Sequence, residues 1–277
     1  MSANPTSAAE YAARVAALDV ALDGIESLAV AYSGGVDSSV LLHAAHARLG
    51  ARAVGVIADS ASLPRRELDE AREIAAQIGA RLVVVGTTEL DDPRYRANAG
   101  DRCYFCKSAL FDALEPWART NGYAAIAFGE IADDALDVRP GGRAARERGV
   151  LAPLAAAGFT KDDVRRYAHE HGLSVHDKPA SACLASRLPV GTIVTRERLA
   201  RVEAAEEALK ALGLSVVRVR DHGDLARVEV GRDELATARA DWPRLEIALR
   251  SAGFAHAELS VYLSPSERAN RGNASLP

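Results

Sequence analysis

Residues Glu26–Leu42 read ESLAVAYSGGVDSSVLL, and this stretch decides the fold. Leu28–Tyr32 is a short apolar run without polar alternation, which predicts a parallel strand covered on both faces. Ser33-Gly34-Gly35-Val36-Asp37-Ser38-Ser39 follows as a turn, with a helix expected from about Asp37. Two glycines let the backbone turn sharply and approach a ligand with no Cβ in the way. The N–H groups of such a turn, with the free donors of the next helix, converge on one concavity that suits an anion. Ser33, Ser38 and Ser39 add hydroxyl donors, and Asp37 is the type of residue that holds a magnesium ion against phosphates.

The loop lacks the GxxxxGK[ST] pattern and its lysine, so it is not the ordinary phosphate loop. SGGVDSS resembles the SGGxDS loop of the PP-loop ATP pyrophosphatase superfamily. The resemblance implies ATP and Mg2+ as cofactors, with Ser33 to Ser39 around the β,γ-pyrophosphate. The α-phosphorus is then left open, so that a substrate oxygen becomes adenylylated and pyrophosphate leaves.

Outward from this stretch, strand and helix alternate. Apolar residues at helical spacing predict a helix over Tyr11–Leu22, after a disordered lead at 1–7. Ala53–Ala58 and Arg81–Val85 read as strands, with a helix from Pro64 to Gly79 between them. This order argues for a doubly wound parallel α/β sheet whose ligand lies at the carboxyl ends of the strands. Thr87–Asp101 reads as a loop, Arg102–Thr120 as a helix and Ala124–Phe128 as a fourth strand running into GEIADDALDVRPGG. Pro140-Gly141-Gly142 is expected to break the chain, and Thr160 to cap a helix. His176–Gly191 reads as an active-site loop beside a domain boundary. A nucleotide-binding domain over 1–185 and a small α+β domain over 186–277 are expected. The second holds a helix over 195–212, a hairpin of Ser215–Arg220 with Ala226–Val230, and a strand over Ala255–Tyr262, with disorder from 264.

A chain of 277 residues with net charge −4 carries no overall basic field for nucleic acid. No basic start precedes an apolar segment and no stretch of about 18 uncharged apolar residues exists, so neither a signal peptide nor a membrane span is expected. Three cysteines, an odd number, argue against a disulfide framework, and the expected compartment is the cytoplasm.

Cys103-Tyr-Phe-Cys106 places two thiols on one face of a helix start. They suit zinc, an iron–sulfur cluster, a redox pair or a buried core. With Cys183 there are three, one short of a closed zinc site but suited to a [4Fe–4S] cluster with one open iron. Arg218 and Arg220 alternate along a strand and share a side, which suits a phosphate grip or a solvated strand face. Lys178 and Arg187 flank Cys183 and bring positive charge that a thiolate needs, or are simply solvated.

SACLASRLPVG around Cys183, together with SGGVDSS, CYFCK and DVRPG, resembles the LarE family of ATP-dependent sulfur transferases in nickel-pincer cofactor synthesis. The resemblance covers roughly residues 10–262. It implies a pyridinium biscarboxylate mononucleotide as substrate, adenylylation of a carboxylate, replacement of oxygen by sulfur, and a homo-oligomer. Some members surrender the sulfur of their own cysteine, which becomes dehydroalanine; others carry three cysteines and a cluster bearing an extra sulfide. Cys183 matches the sulfur-donor position, and Cys103 and Cys106 match the extra pair of the cluster type. Arg218 and Arg220 match positions that bind substrate phosphate, and Glu206 and Glu229 lie near metal-binding acids. Asp133 belongs to the second nucleotide signature, usually GTNxDD and here Gly129-Glu130-Ile131-Ala132-Asp133-Asp134. The usual PYG is Pro189-Val190-Gly191 here. Other readings of a PP-loop with these cysteines are a tRNA thiolase, an amidotransferase or ligase such as an NAD synthetase, and an ATP- or redox-sensing binding protein.

Overall fold

The computed structural model describes residues 6–135, 140–179, 182–263 and 267. The chain divides into two compact units, Met1–Ser181 and Ala182–Pro277, so Cys183 belongs to the second. Within the stretches expected to be disordered, residues 1–5, 264–266 and 268–277 lie outside the described residues, as does Asp137-Val138-Arg139 of the DVRPG segment.

The first unit is built on four parallel strands: β1 (Leu28–Tyr32), β2 (Ala53–Asp59), β3 (Arg81–Gly86) and β4 (Ala125–Phe128), in the order β3-β2-β1-β4. The helices are α1 (Ala8–Asp23), α2 (Val36–Leu49), α3 (Arg65–Ile78), α4 (Pro93–Ala97), α5 (Arg102–Thr120), α6 (Ala132–Ala135), α7 (Pro140–Glu147), α8 (Pro153–Ala156) and α9 (Lys161–Glu170). Strand β1 sits between β2 and β4 and is buried at all five positions. Leu28, Val30 and Tyr32 join a core with α1, α2 and α9, while Ala29 and Ala31 join a second core with Phe111 and Leu114 of α5. Both faces are covered, which is why the strand needs no polar alternation.

Three local readings differ from the sequence expectation. Ser7 is no part of a disordered lead: it accepts from Glu10 N–H in a capping box that starts α1. The polar stretch before α5 contains α4, because Pro93 stands at its first turn and the Asp92 side chain accepts from Arg94 N–H. Pro140-Gly141-Gly142 opens α7 rather than breaking the chain, and α7 lies against the start of α5, where Tyr104 donates to Glu147 at 2.6 Å.

The second unit contains α10 (Arg196–Ala211), capped by Thr195, then β5 (Val217–His222), β6 (Leu225–Val230), α11 (Leu235–Ala240), α12 (Trp242–Ser251) and β7 (His256–Val261). β5 and β6 form the expected antiparallel hairpin, and β7 joins β6 in parallel after the helical crossover. Among the described residues no helix is long and apolar enough to cross a membrane.

Candidate active site

The loop after β1 has a wall of near-zero clearance on each side. Gly34 has φ +70°, and a Cβ there would lie 2.7 Å from the Ala71 Cβ of α3. Across the loop, a Cβ on Gly129 after β4 would lie 2.8 Å from Ser38 N. Both positions therefore require glycine. Ser38 closes the turn internally: its Oγ accepts from Ser33 N–H at 3.2 Å and donates to Gly35 O at 3.1 Å. Gly35 is the N-cap of α2 and offers no side-chain cap, which leaves the first-turn N–H groups for an anion. Ser39 departs from expectation. It is fully buried and its hydroxyl donates to Tyr32 Oη at 3.3 Å, so it serves the core and not the concavity.

Asp37 holds a cation already. Lys161 Nζ lies 2.8 and 2.9 Å from its two carboxylate oxygens. The Lys161 backbone N–H donates to Asp133 at 2.8 Å, so one residue ties the loop to the second signature. Lys161 is the first residue of α9, set there by the capping box of Thr160 with Asp163. It was missed in the sequence because it lies 124 residues from Asp37. Its one local signal is the TKDD helix start.

Lys178 is not a solvated loop lysine either. Its ammonium sits 2.7 Å from Glu67 and 3.0 Å from Glu70 on α3 and donates to Gly34 O at 3.3 Å, bracing the loop from outside. Burial alone would lower its pKa, but the two carboxylates outweigh this and raise it above the ordinary value.

Beyond Gly129, Glu130 and the apolar Ile131 stand where the usual signature has threonine and asparagine. Glu130 is buried and pairs with Arg146 of α7 at 2.9 Å. A Cβ on Gly142 would meet Glu130 Oε1 at 2.7 Å, so the second glycine of Pro140-Gly141-Gly142 makes room for this carboxylate. Close by on α5, Lys107 points its ammonium over Phe111 and Phe128, 5.6 and 5.3 Å from the ring centroids. Burial lowers its pKa, a shift opposed by Cys106 and Glu130. The sequence reading assigned this lysine no role.

Cys103 is exposed and Cys106 part-buried, one turn apart at the start of α5 in the first unit; Cys183, part-buried, is in the second. None of the three is in a disulfide, and as a donor set their softness fits iron–sulfur ligation. Within either unit, no group of three or more His, Cys, Asp or Glu gathers around a metal position among the described residues. For Mg2+ the fit rests on Asp37, whose carboxylate binds a cation where the loop would place pyrophosphate.

In the second unit Arg187 lies under the cysteine turn rather than in solvent. It is 3% exposed, grips Glu206 of α10 with Nε at 2.9 Å and Nη2 at 3.0 Å, and donates from Nη1 to Ala182 O and Cys183 O. Glu206 also accepts from Val219 N–H at 2.9 Å. Both charged groups are thus committed to the fold of this unit. Arg218 and Arg220 share a side of β5 as expected. Arg220 donates to Ser186 O at 2.8 Å and pairs with Glu229 at 2.9 Å, while Arg218 lies 5.6 Å from the Tyr262 ring centroid.

A parallel α/β sheet with a glycine-walled SGGVDSS loop at the carboxyl end of an inner strand is the fold of the PP-loop class. No protein-family model matches the chain. It is 38% identical over 256 residues to the pyridinium-3,5-bisthiocarboxylic acid mononucleotide synthase of Lactiplantibacillus plantarum, covering 91% of this chain and 92% of that protein. An uncharacterized protein of Synechocystis is 41% identical over 244 residues, covering 87% and 91% of the two chains. A more distant one, from Methanocaldococcus jannaschii, is 28% identical over 211 residues. The chain belongs to the LarE family.

Proposed function

We propose that this protein uses Mg-ATP to adenylylate a carboxylate of a pyridinium biscarboxylate mononucleotide and then replaces oxygen by sulfur, in nickel-pincer cofactor synthesis. The observation that carries this reading is Asp37, a carboxylate at the mouth of a glycine-walled anion loop that already holds a cation. The loop N–H groups and the α2 N-terminus bind the β,γ-pyrophosphate, and Asp37 holds Mg2+ against it. A substrate carboxylate oxygen attacks the α-phosphorus, the bond to the bridging oxygen breaks, and pyrophosphate leaves with that electron pair. In the acyl-adenylate the leaving group is AMP instead of oxide, so a sulfur nucleophile displaces it at the carbonyl carbon.

Cys103, Cys106 and Cys183 would hold a [4Fe–4S] cluster, which when bound supplies sulfide as that nucleophile. Cys183 is then not consumed. Arg218 and Arg220 grip the substrate phosphate from β5. The need for ATP and for reduced thiols sets the reaction in the cytoplasm.

Pyrophosphate release measured with ATP, Mg2+ and the biscarboxylate mononucleotide tests the first half. Release is expected only when the carboxylate is present and is abolished in Asp37→Asn; carboxylate-independent release overturns the reading. Intact mass after turnover tests the second half. A loss of about 34 Da at Cys183, marking dehydroalanine, refutes the cluster route.

A further inference from the structure

Lys107 is a charge of the first unit that the proposed function leaves unexplained. Its ammonium makes no hydrogen bond or ion pair among the described residues, and the side chain is only partly buried. The carboxylate of Glu130, which acts on it electrostatically, is taken by Arg146 at 2.9 Å. The two aromatic rings beside the ammonium attract it, but they do not replace a counter-ion. A cation kept partly dry without one costs free energy unless an anion arrives.

Its position says where that anion would be. Phe128, one of the two rings, is the last residue of β4, the strand beside β1. The next residue, Gly129, touches the backbone of Asp37 and Ser38. Lys107 therefore stands at the ligand edge of the sheet, next to the nucleotide loop.

The anion's chemical class follows from what is already provided. The triphosphate has the loop, Asp37 and Lys161 to meet it. Lys107 instead lies beside two buried phenyl rings, an apolar setting that suits a carboxylate carried on an aromatic ring better than a strongly hydrated phosphate.

We infer that Lys107 binds a carboxylate of the pyridinium substrate and sets the specificity of the adenylylation step for that anion. The inference rests on the proposed adenylylation, and the experiment separates the two. Initial rates of pyrophosphate release are measured for the full chain, Lys107→Met and Lys107→Arg, varying pyridinium-3,5-biscarboxylic acid mononucleotide and ATP in turn. Methionine fills much the same space beside the rings, and a melting curve for each variant reports folding. The expected result is a KM for the biscarboxylate raised about tenfold or more in Lys107→Met, partly restored in Lys107→Arg, with the KM for ATP within about twofold of the parent. An unchanged biscarboxylate KM overturns the assignment. A rise confined to ATP overturns it in favour of a phosphate contact. Normal pyrophosphate release with loss of sulfur transfer alone overturns it in favour of support for Cys106. If the parent itself releases no pyrophosphate with this substrate, the adenylylation reading has failed instead, and the inference with it.

Discussion

The Lys161–Asp37 pair of the first unit and the Arg187–Glu206 pair of the second use the same chemistry for opposite ends. Arg187 and Glu206 are 3% and 4% exposed, and both make further hydrogen bonds to backbone groups. Lys161 and Asp37 are 37% and 27% exposed and meet through the ammonium alone. A buried, multiply bonded pair cannot separate without stranding a charge, so it fixes a turn. A pair at a solvated loop can exchange partners at little cost, as the magnesium site proposed at Asp37 requires. Burial, more than the identity of the charged groups, separates a strut from a site.

The contrast is broken most severely at Arg187. Arg187→Ala should cost about 3–5 kcal/mol, because Glu206 is left buried and unpaired. Urea denaturation measures it, and Arg187→Met with Glu206→Leu should recover much of the loss. A single-mutant cost under about 1 kcal/mol would remove the strut. Lys161→Met should change stability by less than about 1 kcal/mol, yet slow pyrophosphate release about tenfold as phosphate neutralisation at Asp37 is lost. The reverse pattern, a large loss of stability at full rate, would make Lys161 the strut instead.

Thr160→Ala sharpens the same point at smaller scale. Losing the cap should cost about 1 kcal/mol in thermal unfolding and slow the reaction less than Lys161→Met does, since the ammonium remains. The smallest effect is one of pH. Burial raises the Glu70 carboxyl, but its bonds to Arg66 and Lys178 outweigh this and hold it below its ordinary 4.5. Its stabilisation is therefore complete above that value and fades as pH falls through the depressed one. Lys178, raised above 10.5, keeps its contribution at neutral pH and loses it as pH rises through the raised value. Glu70 is a third exposed, so its acid-side change should be only a few tenths of a kcal/mol. Melting temperatures of the parent and Lys178→Met between pH 3 and 7 should converge towards the acid end.

What the sequence disclosed and what it hid follow from the range of the forces involved. The β1–loop–α2 unit was readable because its signals are local: an uninterrupted apolar run, two glycines and a helix start. Arg102–Thr120 was legible at both ends for similar reasons. Proline misled twice, at Pro93 and Pro140, because a residue that interrupts a helix also begins one well. The partners of Lys161 and Arg187 were illegible. The first contact spans 124 residues and the second joins a turn to a helix 19 residues on, distances at which spacing carries no periodic signal. Ser39 looked like its neighbours in the loop, yet the helical rotation turned it inward to Tyr32.

The glycine walls around the nucleotide loop have a thermodynamic consequence. Gly34 is seated against Ala71, and Gly129 against the backbone of Asp37 and Ser38, with less than a methyl group of slack on either side. A loop cast between two such surfaces is a mould set before its ligand arrives. It has little conformational entropy left to surrender on binding the proposed pyrophosphate, so most of the contact energy can appear as affinity instead of being consumed in ordering the backbone.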